Sequence, residues 1–307
     1  MIVIATTVPK VQKWLEDALA EYAPQEAYCL AHSEQAQQAT TAISWFPDLD
    51  YLETLPNLKL IHSMAAGVEH LNLKRIGERY AVCRVVDESH QKGMYDYLQW
   101  CVLYYQRFFD VLIAQQQQQR WKQPPQKSSS DVKIGIMGLG QMGGYIAEKF
   151  AKLGYQVSGW SRSLKQIEGV TCFAGDVQRQ DFLAQSEILI NLLPLTEDNV
   201  GLLNTELFQQ LPKGACVINC GRGQHLNEQD LIAALDSEQL RGAVLDVFAK
   251  EPLAQDHVFW QHPKVLVTPH VASHAPWSAV IGQILENDHR VQQGLVLVNE
   301  VNVMKGY

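Results

Sequence analysis

Val132-Lys133-Ile134-Gly135-Ile136-Met137-Gly138-Leu139-Gly140-Gln141-Met142-Gly143 is the stretch that decides how this 307-residue chain is read. An apolar run of strand character ends in a Gly-x-Gly-x-x-Gly string, and residues 142–153 then follow with helical apolar spacing. The glycine string alone is a weak signal that also describes an ordinary tight turn. Placed between a strand and a helix inside a βαβ unit, it describes a phosphate loop for a dinucleotide. Gly138 permits the tight turn, Gly140 has no Cβ where a pyrophosphate would approach, and Gly143 allows close helix packing. The helix start, with Gln141 and Met142, offers unpaired N–H groups and partial positive charge to the phosphates.

The end of the next strand, residues 156–160, bears on the choice of cofactor. An NAD-type site places Asp or Glu there, about 20 residues beyond the glycines, to bind the ribose hydroxyls. Here the strand ends Gly159-Trp160-Ser161-Arg162-Ser163, with Lys165 nearby and Glu168 well past it. A carboxylate would repel a 2′-phosphate, whereas Ser161, Arg162 and Ser163 can bind one through hydrogen bonds and charge. NADP(H) is therefore expected over NAD(H).

Further strands are expected at 170–173, 188–193, 215–219, 243–247 and 265–267, and helical patterns separate most of them. Their near-continuous apolar character fits parallel strands covered on both faces. The first hundred residues alternate in the same way. Strands are expected at 2–5, 42–45 and 58–64, and a helix at 11–22 with Val11, Trp14, Leu15 and Leu19 on one face. Residues 87–121 read as one long helix carrying Tyr97, Cys101, Tyr104, Tyr105 and Phe108 at helical spacing and ending in a solvated glutamine face, Gln115 to Gln119. Pro124 and Pro125 open a linker after it. The length suits two domains, and no fixed-period repeat is present.

Composition excludes some classes of function. Hydrophobic residues make up 47% and charged residues 19%, ordinary for a globular chain. Asp and Glu number 33 against 25 Lys and Arg, a net charge of −8, which argues against a nucleic-acid partner. The most apolar long stretch, 95–114, is interrupted by Asp96, Arg107 and Asp110, so no membrane span is expected. The first residues are too short for a signal-peptide core. None of the six cysteines forms a Cys-x-x-Cys pair, so free thiols in a reducing cytoplasm are expected, with no metal.

Three polar segments follow apolar strands in the second half, where ligands of open α/β sheets bind. They are Asn219-Cys220-Gly221-Arg222-Gly223, Asp246-Val247-Phe248-Ala249-Lys250-Glu251-Pro252-Leu253, and Thr268-Pro269-His270. In this order after the glycine loop they resemble the D-isomer-specific 2-hydroxyacid dehydrogenases. Ala65-Ala66-Gly67-Val68-Glu69-His70 is similar to that family's substrate loop. Trp45-Phe46-Pro47, Trp260-Gln261-His262-Pro263 and the ending Lys305-Gly306-Tyr307 are similar to its glyoxylate/hydroxypyruvate reductase branch.

The resemblance implies two doubly wound parallel-sheet α/β domains with a cleft between them: a substrate domain from 1–97 and 275–307, and a Rossmann domain from 98–274. It carries the family's Arg, Glu and His onto Arg222, Glu251 and His270. Arg222 would bind the carboxylate and carbonyl of a small anionic 2-keto acid through its planar fork. His270 would protonate the carbonyl oxygen, and Glu251 would raise its pKa and orient the ring. Leu193, Pro194, Cys220 and Asp246 would line the cofactor, with Asp246 at the nicotinamide carboxamide. Backbone amides near Ala66, Gly67 and Val68 would hold the substrate carboxylate. Trp45 would either wall the pocket or pack in the core. The aromatic face of helix 87–121 would form a homodimer interface, with core packing as the alternative. The expected activity is NADPH-dependent reduction of glyoxylate and hydroxypyruvate. The alternatives are a dehydrogenase for bulkier 2-keto acids and a dinucleotide-binding regulatory protein.

Overall fold

A computed structural model describes residues 1–303, so the Lys305-Gly306-Tyr307 ending lies outside the described residues. The chain divides into two compact units, residues 1–90 with the chain from 274 onward, and residues 91–273. These boundaries differ from the expected 97/98 and 274/275. Among the described residues, no helix is long and apolar enough to cross a membrane.

The first unit is built on five parallel strands: β1 (Ile2–Thr6), β2 (Tyr28–Leu30), β3 (Thr41–Trp45), β4 (Leu60–Ser63) and β5 (Ala81–Cys83). Their order is β2-β1-β3-β4-β5. Strand alternation divides β1 between two cores. Ile2 and Ile4 pack with Leu15, Leu19 and, from the helix Trp277–Gln293, Ile281 and Ile284. Val3 and Ala5 pack with Leu52, Ile61, Leu71 and Val82 on the other face. Both faces are covered, so the strands carry no polar alternation. β2 and β5 were not expected from the sequence; at three residues each they are too short to show a period.

The second unit carries seven parallel strands: β6 (Lys133–Met137), β7 (Gln156–Ser161), β8 (Val170–Ala174), β9 (Ile188–Asn191), β10 (Ala215–Asn219), β11 (Leu240–Leu245) and β12 (Val265–Val267). Their order is β12-β11-β10-β9-β6-β7-β8, so the chain reverses its direction of winding between β6 and β9. A crevice outside the carboxyl ends at such a switch point is where doubly wound sheets bind ligands. Ile134, Ile136, Ile190 and Ile218 face a core with Leu98, Cys101, Val102 and Phe150. Met137, Leu189, Val217 and Leu245 face Phe182, Phe208 and Leu235.

The long aromatic helix expected over 87–121 is instead two helices, Glu88–Gln106 and Phe109–Gln117, broken where Phe108 takes a left-handed φ of 60°. Arg241, at the start of β11, accounts for the break. Its Nη2 donates to the Tyr105 carbonyl at 3.1 Å, its Nε to Asp110 at 2.7 Å, and its guanidinium lies 4.2 Å from the Phe108 ring centroid. It thus satisfies a carbonyl at the end of one helix and pairs with an acid in the first turn of the next. Of the glutamines, Gln115, Gln116 and Gln117 lie in the second helix, and Gln119 takes a φ of 54° beyond it. β11 also begins earlier and ends earlier than the expected 243–247.

Removing one partner of the Arg241–Asp110 pair should leave the other charge poorly compensated. The two side chains are 25% and 19% exposed. Asp110→Ala is expected to cost about 2–3 kcal/mol, short of the cost of breaking a fully buried pair. The Arg241→Met/Asp110→Leu double variant should lose less. Urea unfolding midpoints measure both; an unchanged midpoint for Asp110→Ala would show that the helix break does not depend on this pair.

Candidate functional site

The glycine loop leaves β6 under tight steric limits. Gly138 has a φ of +99°, and its N–H donates to the Trp160 carbonyl at 2.8 Å. A Cβ on Gly143 would stand 1.8 Å from the Gly138 carbonyl oxygen, so the first helical turn is pressed directly onto the loop. Gly140, which caps the helix Gln141–Lys152, behaves oppositely: a Cβ there would meet nothing within 4 Å. Backbone packing thus requires Gly138 and Gly143, while the space before Gly140 is open on the side a phosphate would approach. Together with the amides of Gln141 and Met142 in the opening turn, these residues fit a pyrophosphate.

At the end of β7 the three expected residues part ways. Ser161 is buried and commits its only hydroxyl proton to the Ser163 carbonyl at 2.8 Å. It shapes the turn, while Arg162 and Ser163 are exposed on it. Beyond β9, the Leu193 amide donates to Asn191 Oδ1 at 3.3 Å and the Pro194 carbonyl accepts from Asn199 Nδ2 at 2.8 Å. Cys220 points inward: it joins the core with Leu98 and Cys101, and burial pushes its thiol well above the ordinary value. It has only its backbone to offer a cofactor.

His270, Glu251 and Arg222 come together in this unit. His270 Nδ1 lies 2.8 Å from Glu251 Oε2, while Glu251 Oε1 accepts the Phe248 amide at 2.9 Å. One carboxylate is therefore anchored to its own loop and orients the ring. The hydrogen bond that His270 donates to Glu251 raises the His270 pKa above its ordinary value; burial opposes it, the Glu251 charge adds to it, and the nearby Arg222 charge subtracts. Burial alone would raise the Glu251 pKa, but the bonds from His270 and the Phe248 amide, with the charges of His270 and Arg222, bring it below the usual range. Arg222 is thus within electrostatic reach of both groups.

The His270 loop hangs on Asp246. That carboxylate is 1% exposed and accepts from Thr268 Oγ1 at 2.6 Å, the Val271 amide at 2.9 Å and the Ala272 amide at 3.0 Å. The Tyr97 hydroxyl then donates to Thr268 Oγ1 at 2.7 Å. Asp246, expected to face the nicotinamide carboxamide, has both oxygens engaged by the loop that carries His270. The sequence reading missed this anchoring role and that of Tyr97, because Asp246 and the loop are 22 or more residues apart.

In the first unit, Ser63 organises the 65–68 loop. Its Oγ accepts the Ala65 amide at 3.1 Å and lies 3.0 and 2.9 Å from the Ala65 and Gly67 carbonyls. Arg84, which the sequence reading passed over, donates to the Ala66 carbonyl at 3.3 Å. Ala66 and Gly67 are half-buried and Val68 is buried. Trp45 packs against the core and also lies 4.2 Å, centroid to centroid, from the His70 ring. Among the described residues, no group of three His, Cys, Asp or Glu side chains could hold a metal ion.

The sequence profile of the NAD binding domain of D-isomer specific 2-hydroxyacid dehydrogenases matches residues 100–272. The chain is 38% identical over 302 residues to glyoxylate/hydroxypyruvate reductase A of Serratia proteamaculans, covering 96% of each chain. Among solved structures it resembles a D-isomer specific 2-hydroxyacid dehydrogenase family protein from Klebsiella pneumoniae (TM-score 0.92, 47% identity, 99% of this chain and 97% of that one). It also resembles the NADPH-dependent glyoxylate/hydroxypyruvate reductase of Sinorhizobium meliloti in complex with NADP and sulfate (TM-score 0.89, 32% identity, 100% and 99%). The chain belongs to the D-isomer-specific 2-hydroxyacid dehydrogenase family.

The raised His270 and lowered Glu251 pKa values set a pH window for the pair. The His270 contribution to stability is complete below the unfolded value near 6.5 and fades as pH rises through the higher folded value. The Glu251 contribution is present above the unfolded value of 4.5 and fades as pH falls through the lower folded value. Glu251→Gln is expected to bring the His270 titration midpoint, read by NMR of the ring, down toward or below the ordinary value. A midpoint that does not move would remove Glu251 as the cause.

Proposed function

We propose that this chain reduces small 2-keto acids with NADPH, converting glyoxylate to glycolate and hydroxypyruvate to D-glycerate. The observation that carries this reading is the His270–Glu251 pair within reach of Arg222, in the same unit as the glycine loop. Bound NADPH would supply the hydride. The chain's own residues do the rest. The permanently charged Arg222 fork binds the substrate carboxylate and carbonyl, lowering the cost of negative charge on the oxygen. Glu251 holds His270 through Nδ1, leaving Nε2 to give its proton to that oxygen as the carbonyl carbon becomes the alcohol carbon. One hydride and one proton yield the 2-hydroxy acid, and Glu251 keeps the ring protonated to a higher pH than a free imidazole.

The 91–273 unit is assigned to the cofactor. The other unit is assigned to the substrate carboxylate, through the amides of the 65–68 loop. The half-buried Trp45 beside Phe46 and His70 narrows the space on that loop and favours small acids over bulky ones. Relatives named glyoxylate/hydroxypyruvate reductase A and the NADP-bound Sinorhizobium enzyme support the same substrates and cofactor. Arg162, exposed where an NAD site would carry an acid, is assigned to the 2′-phosphate. Of the face expected at a homodimer interface, Cys101 and Tyr105 are buried in the core and Tyr97 and Tyr104 pack against it, so the neighbouring Trp100, Leu103, Phe109 and Ile113, between 38% and 49% exposed, are assigned to a homodimer face in their place. The six free cysteines fit a reducing cytoplasm.

His270→Asn should lower kcat by about 10²–10⁴-fold while the Kd for NADPH stays within about twofold, measured by NADPH absorbance and fluorescence titration. Unchanged turnover would remove His270 from the mechanism, and no turnover by the unaltered protein on a panel of 2-keto acids would remove the activity. Arg162→Ala should cut the NADPH-over-NADH ratio of kcat/KM by about 10–100-fold, the worth of one charge-assisted contact. An unchanged ratio would place the 2′-phosphate elsewhere.

A further inference from the structure

β9 and β10 run parallel with Asn191 opposite Asn219, so two amide side chains sit side by side at the carboxyl edge of the sheet. Both residues are fully buried, and so is His225, which closes the short turn after Arg222. Asn191 Nδ2 lies 2.9 Å from Asn219 Oδ1 and 2.9 Å from His225 Nδ1. Asn191 Oδ1 accepts the Leu193 amide at 3.3 Å, and Asn219 Oδ1 accepts the Gly221 amide at 3.2 Å. These partners settle which way each amide faces.

The network closes on the Arg222 backbone. The Arg222 N–H donates to His225 Nδ1 at 3.1 Å, and the Arg222 carbonyl accepts from Asn219 Nδ2 at 3.2 Å. Both backbone groups of one residue are thus held by buried side chains. The neighbours are pressed as tightly. A Cβ on Gly221 would stand 2.8 Å from Asn191 Nδ2 and 3.0 Å from His225 Nδ1, and one on Gly223 would stand 1.8 Å from the Phe248 carbonyl carbon. His225 Nδ1 faces two donors, so it carries its lone pair there and the ring proton sits on Nε2.

We propose that His225 is a positioning residue: with Asn191 and Asn219 it fixes the Arg222 backbone, and through it the direction of the guanidinium, by accepting through an unprotonated Nδ1. The inference rests on the reading of Arg222 as the substrate-binding arginine and deepens it. Arginine is long, so a small rotation at its Cα becomes a large displacement at its fork, and about 1 Å of misplacement can cost 10²-fold in rate. A buried imidazole costs more to desolvate than an apolar side chain would, and here that cost is matched to holding a single residue.

Two replacements separate the ring nitrogens. Asn at 225 puts an acceptor oxygen near the place of Nδ1, and Gln puts one near the place of Nε2. His225→Asn is expected to keep kcat/KM for glyoxylate within about fivefold, and His225→Gln to lower it by about 30-fold or more, with KM for NADPH within about twofold in both. On an Arg222→Ala background, His225→Gln should cause no further loss, because its effect passes through Arg222. Losses that multiply, or equal losses in the Asn and Gln variants, overturn the proposal. A readout independent of activity is NMR of ¹⁵N-histidine and of the Arg222 amide. The expected result is an Nε2–H tautomer, with an Arg222 amide resonance displaced by His225→Gln and kept by His225→Asn; a protonated Nδ1 or an unmoved amide overturns the proposal. Full activity in Arg222→Ala alone would sink the parent reading of Arg222, and the NMR result would still decide whether His225 holds its backbone.

Discussion

A buried carboxylate, Asp246, holds the chemistry of the second unit together. It stands just beyond β11, and three donors from residues 268–272 converge on it. That knot fixes the loop on which His270 sits at a φ of 55°, a left-handed geometry that a residue with a Cβ adopts at a cost of about 1–3 kcal/mol. The cost is offset because the His270 amide also donates to the Asp246 and Thr268 carbonyls, at 2.9 and 3.0 Å. A loop over-determined in this way presents an imidazole in one direction, and a proton donor needs that before it needs the right pKa.

The same principle recurs around the carboxyl edge. Gly138 and Gly143 are required by backbone closeness, whereas Gly140 faces open space, so one short motif carries two different reasons for glycine. Arg222 lies between Gly221 and Gly223 because its backbone is hemmed in by the Asn191–His225 network on one side and by Phe248 on the other. Polar groups that would be expensive to bury singly are tolerated here because the amides of Asn191 and Asn219 and the Nδ1 of His225 answer one another and the Arg222 backbone. Rigidity at this edge follows from parallel strands that end level with one another, so residues such as Asn191 and Asn219, 28 positions apart, become neighbours.

Much of this was legible in the sequence. The strand-glycine-helix signal located β6 and the helix after it, and 215–219 and 265–267 were read with the bounds they have in the structure. Arg222, Glu251 and His270 were readable because each follows an apolar strand and sits in an ordered set of motifs. What stayed hidden was set by partners distant in the chain. The helix over 87–121 has unbroken periodicity, and its interruption at Phe108 depends on Arg241, 131 residues from Asp110. Asp246 reads as a polar residue at a strand end, and only the folded loop shows its oxygens already engaged. His225 shows no pattern in sequence because its side-chain partner, Asn191, ends a strand 34 residues away.

The charge balance reconciles an acidic chain with anionic ligands. With a net charge of −8, the protein as a whole repels a 2-keto acid and a dinucleotide phosphate alike. The local arithmetic differs. Glu251 places a negative charge beside His270 and raises the pKa of that ring, and with the ring protonated the pair carries no net charge. The Arg222 charge acts on both groups, and the helix opening at Gln141 adds partial positive charge at the phosphate loop. On the proposed reading, donation of the His270 proton leaves Glu251 facing a neutral ring, and the pair becomes negative as the product alcohol forms. On the proposed reading, that change weakens the hold on an anionic product at the moment reduction is complete, so one ion pair both arms the reaction and favours release.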